Sequence, residues 1–405
     1  MTVVVQKFGG SSVAGVERLR GVAELVARTR RENDRVVVVV SAMGDTTDEL
    51  TALAHRLDDD PPSREMDMLL STGETVTAPL LAMALHAIGV DAVSLTGMQA
   101  GIRTSGAHRR ARITDIVPQR VIDELSRGRV VLVAGFQGAT EELDVTTLGR
   151  GGSDTTAVAL AVALDAAECA IYTDVAGIHS ADPRLVPEAR PLALIDYDEM
   201  LELAAAGAAV MHPRAVEIGE AYSMPIRVRS TFSDSPGTLI GRHEVMEDRP
   251  KVRGIAHDTD VAKVTLLGVP DRPGIAAAVF GPLGREHINV DIIVQNVSHS
   301  GYTDLSFTLA ESDLARARPI LERVATDVDA SGYDAGGAIA KVTVVGSGLL
   351  GSPGVFARIF ETLAAESINI QMISTGEIRL TCIIDRERVG DAVRALHRAF
   401  ELETL

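Results

Sequence analysis

Along roughly the first 240 residues, short apolar runs alternate with longer segments whose apolar residues recur at helical spacing. Val36–Val40, Val130–Ala134 and Cys169–Tyr172 are continuous apolar runs of strand length, each followed by a turn of small or acidic residues. Val16–Arg30 and Thr155–Ala167 carry the helical pattern between them. Strands without polar alternation are buried on both faces, so this rhythm predicts a mostly parallel sheet covered by helices on each side. In such sheets ligands gather at the carboxyl ends of the strands, where the small-residue turns fall.

A polar connection from Gly241 to Pro250 closes this region, and the chain then repeats itself. Lys263-Val264-Thr265-Leu266-Leu267-Gly268 leads to Pro273-Gly274, a helical stretch and Ile288-Asn289-Val290. Lys341-Val342-Thr343-Val344-Val345-Gly346 leads in the same way to Pro353-Gly354 and Ile368-Asn369-Ile370. Each copy reads strand, helix, strand, strand, helix, which predicts two small α+β sandwiches. Gly346-Ser347-Gly348-Leu349-Leu350-Gly351 has the spelling of a dinucleotide-binding turn. The first copy has the same strand without those glycines, and both helices are expected to start at the Pro-Gly, so a dinucleotide site is rejected.

Composition narrows the picture. With 405 residues, 46% hydrophobic and 23% charged, the chain has the profile of a soluble protein of two or three domains. A net charge of −17 argues against nucleic acid and anionic membranes as partners, so any anionic ligand must be met by a local cluster. Two cysteines, Cys169 and Cys382, make no disulfide framework and point to a reducing compartment. No basic and apolar leader precedes the first strand, and no apolar stretch is expected to reach spanning length. A cytoplasmic location is expected.

Within this composition Lys7 stands out. There are four lysines against thirty-five arginines, and Lys7 is the only lysine in the first 250 residues. It ends an apolar run and enters Phe8-Gly9-Gly10-Ser11-Ser12, so a buried strand delivers a compact ammonium into a small-residue turn. Three further turns have the same character: Ser41–Asp48 after an apolar run, Ser71-Thr72-Gly73-Glu74 opening a long apolar helix, and Thr146–Thr156 running into another. Turns at helix starts expose backbone N–H groups that suit anions. No G-x-x-x-x-G-K-[ST] occurs, so a P-loop is not supported.

Lys7-Phe8-Gly9-Gly10-Ser11-Ser12-Val13, the Ser41–Leu50 turn, Gly73-Glu74, Thr146–Asp154, Tyr172–Ile178, Ala181–Arg184 and Arg227–Ser230 together resemble the aspartokinases of the amino-acid-kinase family. The two repeats resemble paired ACT domains, so the resemblance runs the length of the chain. It implies a three-layer αβα amino-acid-kinase domain over residues 1–243, a linker over 244–262, and ferredoxin-like α+β ACT domains over 263–338 and 339–405 with boundaries open to interleaving. It also implies transfer of a phosphoryl group from ATP to the side-chain carboxylate of L-aspartate. That carboxylate is already ionised at neutral pH, so the chemistry needs positioning and charge stabilisation rather than a general base.

By the same resemblance Lys7 and the backbone of Gly9 and Gly10 would stabilise the transferring group, with Asp154 orienting Lys7. Arg150 would clamp the substrate α-carboxylate and Glu74 its ammonium, with Ser41, Thr47 and Ser153 lining the same pocket. Thr173, Asp174, His179, Asp182 and Arg184 look like nucleotide contacts, and Mg²⁺ would bridge the phosphates, held by ATP and water rather than by protein ligands. Asp271, Gly274, Ile275, Ala276, Asn289, Asp291, Gln295 and Asn296 resemble an amino-acid effector site, matched in the second copy by Asn369, Met372, Ser374 and Thr375. Feedback inhibition by L-lysine, L-threonine or both is implied, with subunits associating through the ACT domains. A separate regulatory chain starting near Met246 is a further expectation.

Two residues depart from the family pattern. Ala209 stands where many relatives have a lysine before a His-Pro turn, and His179 where a tyrosine is common near the adenine; both bear on nucleotide affinity. The rival readings are a kinase of another amino-acid carboxylate and a non-catalytic amino-acid sensor. The double repeat argues against the first, and the presence of Lys7, Glu74, Arg150 and Asp154 against the second.

Overall fold

The computed structural model describes the whole chain except residues 1, 33–34, 209, 243–249, 297–300, 350, 353 and 405. Ala209, Met246 and the first part of the expected linker therefore lie outside the described residues. The chain divides into two compact units, one formed by residues 1–179, 191–205 and 209–247 and the other by 180–190, 206–208 and 248–405.

The first unit is built on an eight-stranded sheet. Its strands are β1 (Val3–Phe8), β2 (Arg35–Val40), β3 (Ala92–Leu95), β6 (Val130–Ala134), β9 (Glu168–Thr173), β10 (Leu194–Ile195), β11 (Ile226–Ser230) and β12 (Thr238–Ile240). They lie in the order β10-β12-β11-β9-β1-β2-β6-β3, and every neighbouring pair is parallel except β11 with β12. The three apolar runs became β2, β6 and β9. Their valines, leucines and isoleucines are buried because helices cover both sheet faces. Helix Val16–Glu32 turns Leu19, Val22, Ala23 and Val26 inward at spacings of three and four. Helix Gly152–Ala163 is apolar around its circumference and buried along most of its length. It starts earlier than the 155–167 pattern suggests, at Gly152, and stops earlier because Asp165 takes a left-handed φ of 48° and turns the chain back.

A second sheet was not anticipated. β4 (Ile102–Thr104), β5 (Ile113–Ile116), β7 (Gln137–Ala139) and β8 (Val145–Thr147) are three or four residues long and run β5-β4-β7-β8. Also against expectation, the helical stretch Ser63–Ala87 is long and apolar enough to cross a membrane by length and composition. Half of its most apolar window is buried in the unit, and it carries Glu74 at 3% exposure, as a core helix does.

The second unit has one six-stranded antiparallel sheet, β14-β15-β13-β16-β18-β17, from β13 (Gly254–Pro270), β14 (Val290–Gln295), β15 (Tyr302–Leu309), β16 (Gly332–Val345), β17 (Met372–Thr375) and β18 (Arg379–Asp385). Two cores flank it, each with two helices. Helices Ile275–Arg285 and Leu314–Asp327 pack on Val264, Leu266 and Phe307, and helices Val355–Ala365 and Val389–Ala399 on Val342, Val344 and Cys382. The predicted order of elements holds in both copies. The linker is corrected, since residues 254–262 belong to β13. There Gly254–Asp258 pairs with Lys341–Val345, while Lys263–Leu267 pairs with Gly332–Gly336. The polar stretch His257-Asp258-Thr259-Asp260 disguises this strand; Asp258 lies 3.4 Å from Lys341, its register partner.

The glycines of the rejected dinucleotide spelling have a packing role. A Cβ on Gly346 would stand 2.1 Å from Lys251 O, and one on Gly348 2.9 Å from the Lys251 Cα. The following helix begins only at Val355.

Residues 180–190 form a strap that belongs to the second unit. Ala181, Val186 and Ala189 join its core, Ser180 O accepts from Ile255 N–H at 2.8 Å, and the buried Ser180 hydroxyl lies 2.9 Å from His397 Nε2. Burial holds the His397 pKa below its usual value, which favours the neutral ring that this contact suits. Ser180→Ala leaves His397 Nε2 without this partner. We expect it to cost on the order of 1–2 kcal/mol and to speed amide exchange in residues 180–190 and Val389–Ala399, read by hydrogen-exchange mass spectrometry.

Candidate active site

β1 runs between β2 and β9, with Lys7 in register with Val39 and Ile171. Phe8 is fully buried and stacks on Tyr172 at 4.7 Å, which anchors the strand end. The Lys7 ammonium meets the Asp154 carboxylate at 2.6 Å, both side chains 12% exposed. Asp154 lies in the first turn of helix Gly152–Ala163, whose start is one wall of a cavity of about 280 Å³.

Lys7, Gly10, Ser41, Thr47, Glu74, Arg150, Ser153 and Asp154 all line this cavity. Every residue expected at the transfer and aspartate positions is there except Gly9. Its N–H donates to Tyr172 O at 3.3 Å, because the pairing of β1 with β9 continues one residue past the strand. Arg150 and Asp154 do not pair; the acid belongs to Lys7. Ala42, Gly44, Phe136, Gly149, Gly151 and Gly152 complete the lining. Ala42 and Gly44 belong to the Ser41–Asp48 turn and Gly149, Gly151 and Gly152 to the Thr146–Thr156 turn, both marked by the sequence as small-residue turns; Phe136 carried no such signal.

Glu74 is the most perturbed acid here. Its Oε1 accepts from Ala42 N–H at 3.0 Å, while Oε2 is buried with no hydrogen-bond partner among the described residues. Burial pushes its pKa up to about 7, against the smaller opposing pull of its backbone hydrogen bonds. A cation placed in the cavity would relieve this.

Gly151 shows why the turn before the helix must be glycine. It has φ +68°, and a Cβ there would stand 2.2 Å from the His212 Cβ. His212 caps helix Pro213–Tyr222, its ring accepting from Arg214 N–H at 3.3 Å.

The expected nucleotide contacts are divided between the two units in sequence. Thr173 ends β9 and donates to the exposed Asp174 at 3.0 Å, and His179 bridges to Pro191. Asp182 and Arg184 belong to the second unit, where a two-pronged pair links them, with Arg184 Nη2 2.7 Å from Asp182 Oδ2. That guanidinium holds the Asp182 carboxyl below its usual range. The expected effector residues also lie in the second unit. Gly274 caps helix Ile275–Arg285 at φ +95°, next to Asp271, and Ala276 lies in the helix's first turn. Asn289 and Asn296 flank edge strand β14, which carries Asp291 and Gln295. Asn369 precedes edge strand β17, which carries Met372, Ser374 and Thr375. Asp291 is paired with Lys341 at 2.8 Å, and Met372 is buried among Val261, Ile292, Ile339 and Ile383.

Residues 2–230 match the amino acid kinase family, and residues 263–326 and 342–400 each match an ACT domain. The aspartokinase of Mycolicibacterium smegmatis is 49% identical over 99% of this chain and 97% of its own. The chain belongs to the aspartokinase family. Among solved structures, Escherichia coli aspartokinase III in complex with aspartate and ADP, its R-state, superposes with a TM-score of 0.83 at 26% identity, covering 98% of this chain and 99% of that one. The same E. coli enzyme with lysine and aspartate, its T-state, gives 0.76 at 26% identity over the same shares. The protein is thus a kinase with an α/β catalytic domain followed by two ACT domains.

Glu74 generates a stability prediction with a definite sign. Its folded pKa lies above the ordinary carboxyl value, so its contribution is fully present below about pH 4.5 and is lost as pH rises through about 7. Glu74→Gln stays neutral throughout. We expect it to exceed the wild type in unfolding free energy by on the order of 1–3 kcal/mol at pH 8, with the gap closing below pH 4.5 in denaturant titrations.

Proposed function

We propose that this cavity binds L-aspartate and directs its side-chain carboxylate onto the γ-phosphoryl group of ATP, giving 4-phospho-L-aspartate and ADP. The observation that carries the reading is the pairing of opposite needs in one cavity. Glu74 presents a buried carboxylate oxygen without a partner, and Arg150 presents an exposed guanidinium that no carboxylate engages among the described residues. These suit the ammonium and α-carboxylate of an amino acid. Lys7, oriented by Asp154, then lies where charge gathers during transfer, and Ser41, Thr47 and Ser153 offer further polar contacts.

Thr173, Asp174 and His179 are the first-unit residues we assign to the nucleotide. Mg²⁺ bound with ATP would neutralise phosphate charge during the transfer. The reaction would open the synthesis of lysine, threonine and methionine in a reducing cytoplasm, consistent with the two buried free cysteines. The open edges β14 and β17, with Ile293 and Ile373 half exposed, suit association of the regulatory half with a second copy. L-Lysine or L-threonine would act from the loops and edge strands of that half, by favouring an arrangement in which catalysis is poor. A separate chain starting at Met246 would carry both long strands but lack the strap.

Trapping acyl phosphate with hydroxylamine tests the reading. We expect ATP-dependent hydroxamate from L-aspartate that falls as lysine or threonine, or both together, are added. No product from a folded protein would transfer the site to another carboxylate or to sensing. Two substitutions separate the roles. Arg150→Ala should raise the aspartate KM about 100-fold, and Lys7→Ala should lower kcat by about 1,000-fold in protein confirmed folded by circular dichroism.

The ionisation of Glu74 gives a further check. Ammonium binding favours the ionised carboxylate, so the aspartate KM should fall as pH rises from 6 to 8, and binding near pH 7 should release a proton. Calorimetry in two buffers of different ionisation enthalpy reads that proton, and Glu74→Gln should abolish its release.

A further inference from the structure

Arg150 carries much of the proposed specificity, yet its side chain is exposed and pairs with no carboxylate among the described residues. Its position is therefore set by the backbone of its turn. Arg214 Nη1 donates to Leu148 O at 2.7 Å, immediately before that turn. Behind it stands Asp67, which no motif marked. Asp67 is fully buried in helix Ser63–Leu70 and lies outside the cavity lining. Its carboxylate accepts from Thr147 Oγ1 at 2.5 Å, from His108 Nδ1 at 2.7 Å and from Arg109 N–H at 3.0 Å.

These donors come from the two segments that frame the turn. Thr147 ends β8, three residues before Arg150. Arg109 takes a left-handed φ of +65°, which a side-chain-bearing residue keeps only where its surroundings hold it. Its carbonyl is the surface on which Gly149 closes, since a Cβ on Gly149 would stand 2.9 Å from Arg109 O. A line of contact thus runs from the Asp67 carboxylate to Arg109, to Gly149 and to the backbone of Arg150.

We infer that Asp67 is a positioning residue for substrate binding, acting through Thr147 and Arg109 on the placement of Arg150; the inference rests on the reading of Arg150 as the partner of the aspartate α-carboxylate. An amide in its place keeps the volume but removes the charge and leaves one acceptor oxygen in place of two, so the charge-assisted bonds weaken and the nitrogen is satisfied only if Thr147 Oγ1 or His108 Nδ1 turns acceptor. The loss falls on the Arg150 turn and spares the Lys7–Asp154 pair across the cavity. The effect should therefore appear in aspartate recognition and not in nucleotide recognition.

The test compares wild type, Asp67→Asn and Thr147→Val, each confirmed folded by circular dichroism and thermal melting. KM for aspartate and for ATP are measured separately in the hydroxamate assay. We expect Asp67→Asn to raise the aspartate KM about tenfold or more, with the ATP KM within about twofold, and Thr147→Val to shift it in the same direction. In an Arg150→Ala background Asp67→Asn should add no further loss. An aspartate KM that stays put in the folded variants, or both KM values rising by one factor, would overturn the inference while leaving the proposed function intact. If Asp67→Asn does not fold, Thr147→Val decides. A wild type that does not turn over aspartate overturns the proposed function, and the inference with it.

Discussion

The catalytic unit is organised around one ion pair, Lys7 with Asp154. A lysine and an aspartate at 12% exposure each are costly to hold apart from water unless they meet. Their meeting requires β1 at the centre of the sheet and helix Gly152–Ala163 packed against it. Everything else in the cavity is placed relative to that junction. β2 brings the Ser41 turn, the apolar helix Thr72–Ala87 brings Glu74, and the left-handed glycines of the 149–151 turn bring Arg150. The core is apolar, while Lys7, Glu74, Arg150 and Asp154 bring charged groups to a cavity otherwise lined by small and apolar residues, so folding energy and chemistry are drawn from different faces of the same elements.

Glu74 shows a different balance. Its buried, half-satisfied carboxylate opposes folding above neutral pH, which a purely structural residue would have little reason to do. Strain of this kind is relieved by a bound cation, so the site gives up stability when empty and regains it when filled. On the proposed reading Arg150 gains a partner at the same moment, and substrate binding would complete two unfinished electrostatic contacts.

The centre of the main sheet was legible because β1, β2, β6 and β9 carry continuous apolar runs, and the cavity because its polar residues sit in small-residue turns and at helix starts. What escaped did so for identifiable reasons. β4, β5, β7 and β8 are too short to show a period. The first part of β13 is polar because Asp258 lies beside Lys341 at the passage between the two cores. Asp67 looked like any acid on an amphipathic helix; its importance comes from donors 41, 42 and 80 residues away in sequence. The strap at 180–190 follows the catalytic strands in the chain but its apolar residues are spent in the other unit's core. Gly9 is a motif residue whose N–H donates to Tyr172 O in the sheet, a bond that the motif alone does not reveal.

The two long strands carry a consequence for how the regulatory half is assembled. The leading part of β13 pairs with the trailing part of β16, some eighty residues later, and the segments between them build the other sandwich. As the chain emerges, Gly254–Asp258 must wait for its strand partner until the first repeat has been made and Lys341–Val345 has appeared. The second sandwich is therefore begun first and finished last, nested around its sibling. The sequence period suggests two cassettes laid end to end. In the fold neither can be excised, exchanged or duplicated at that period without cutting a strand the other shares.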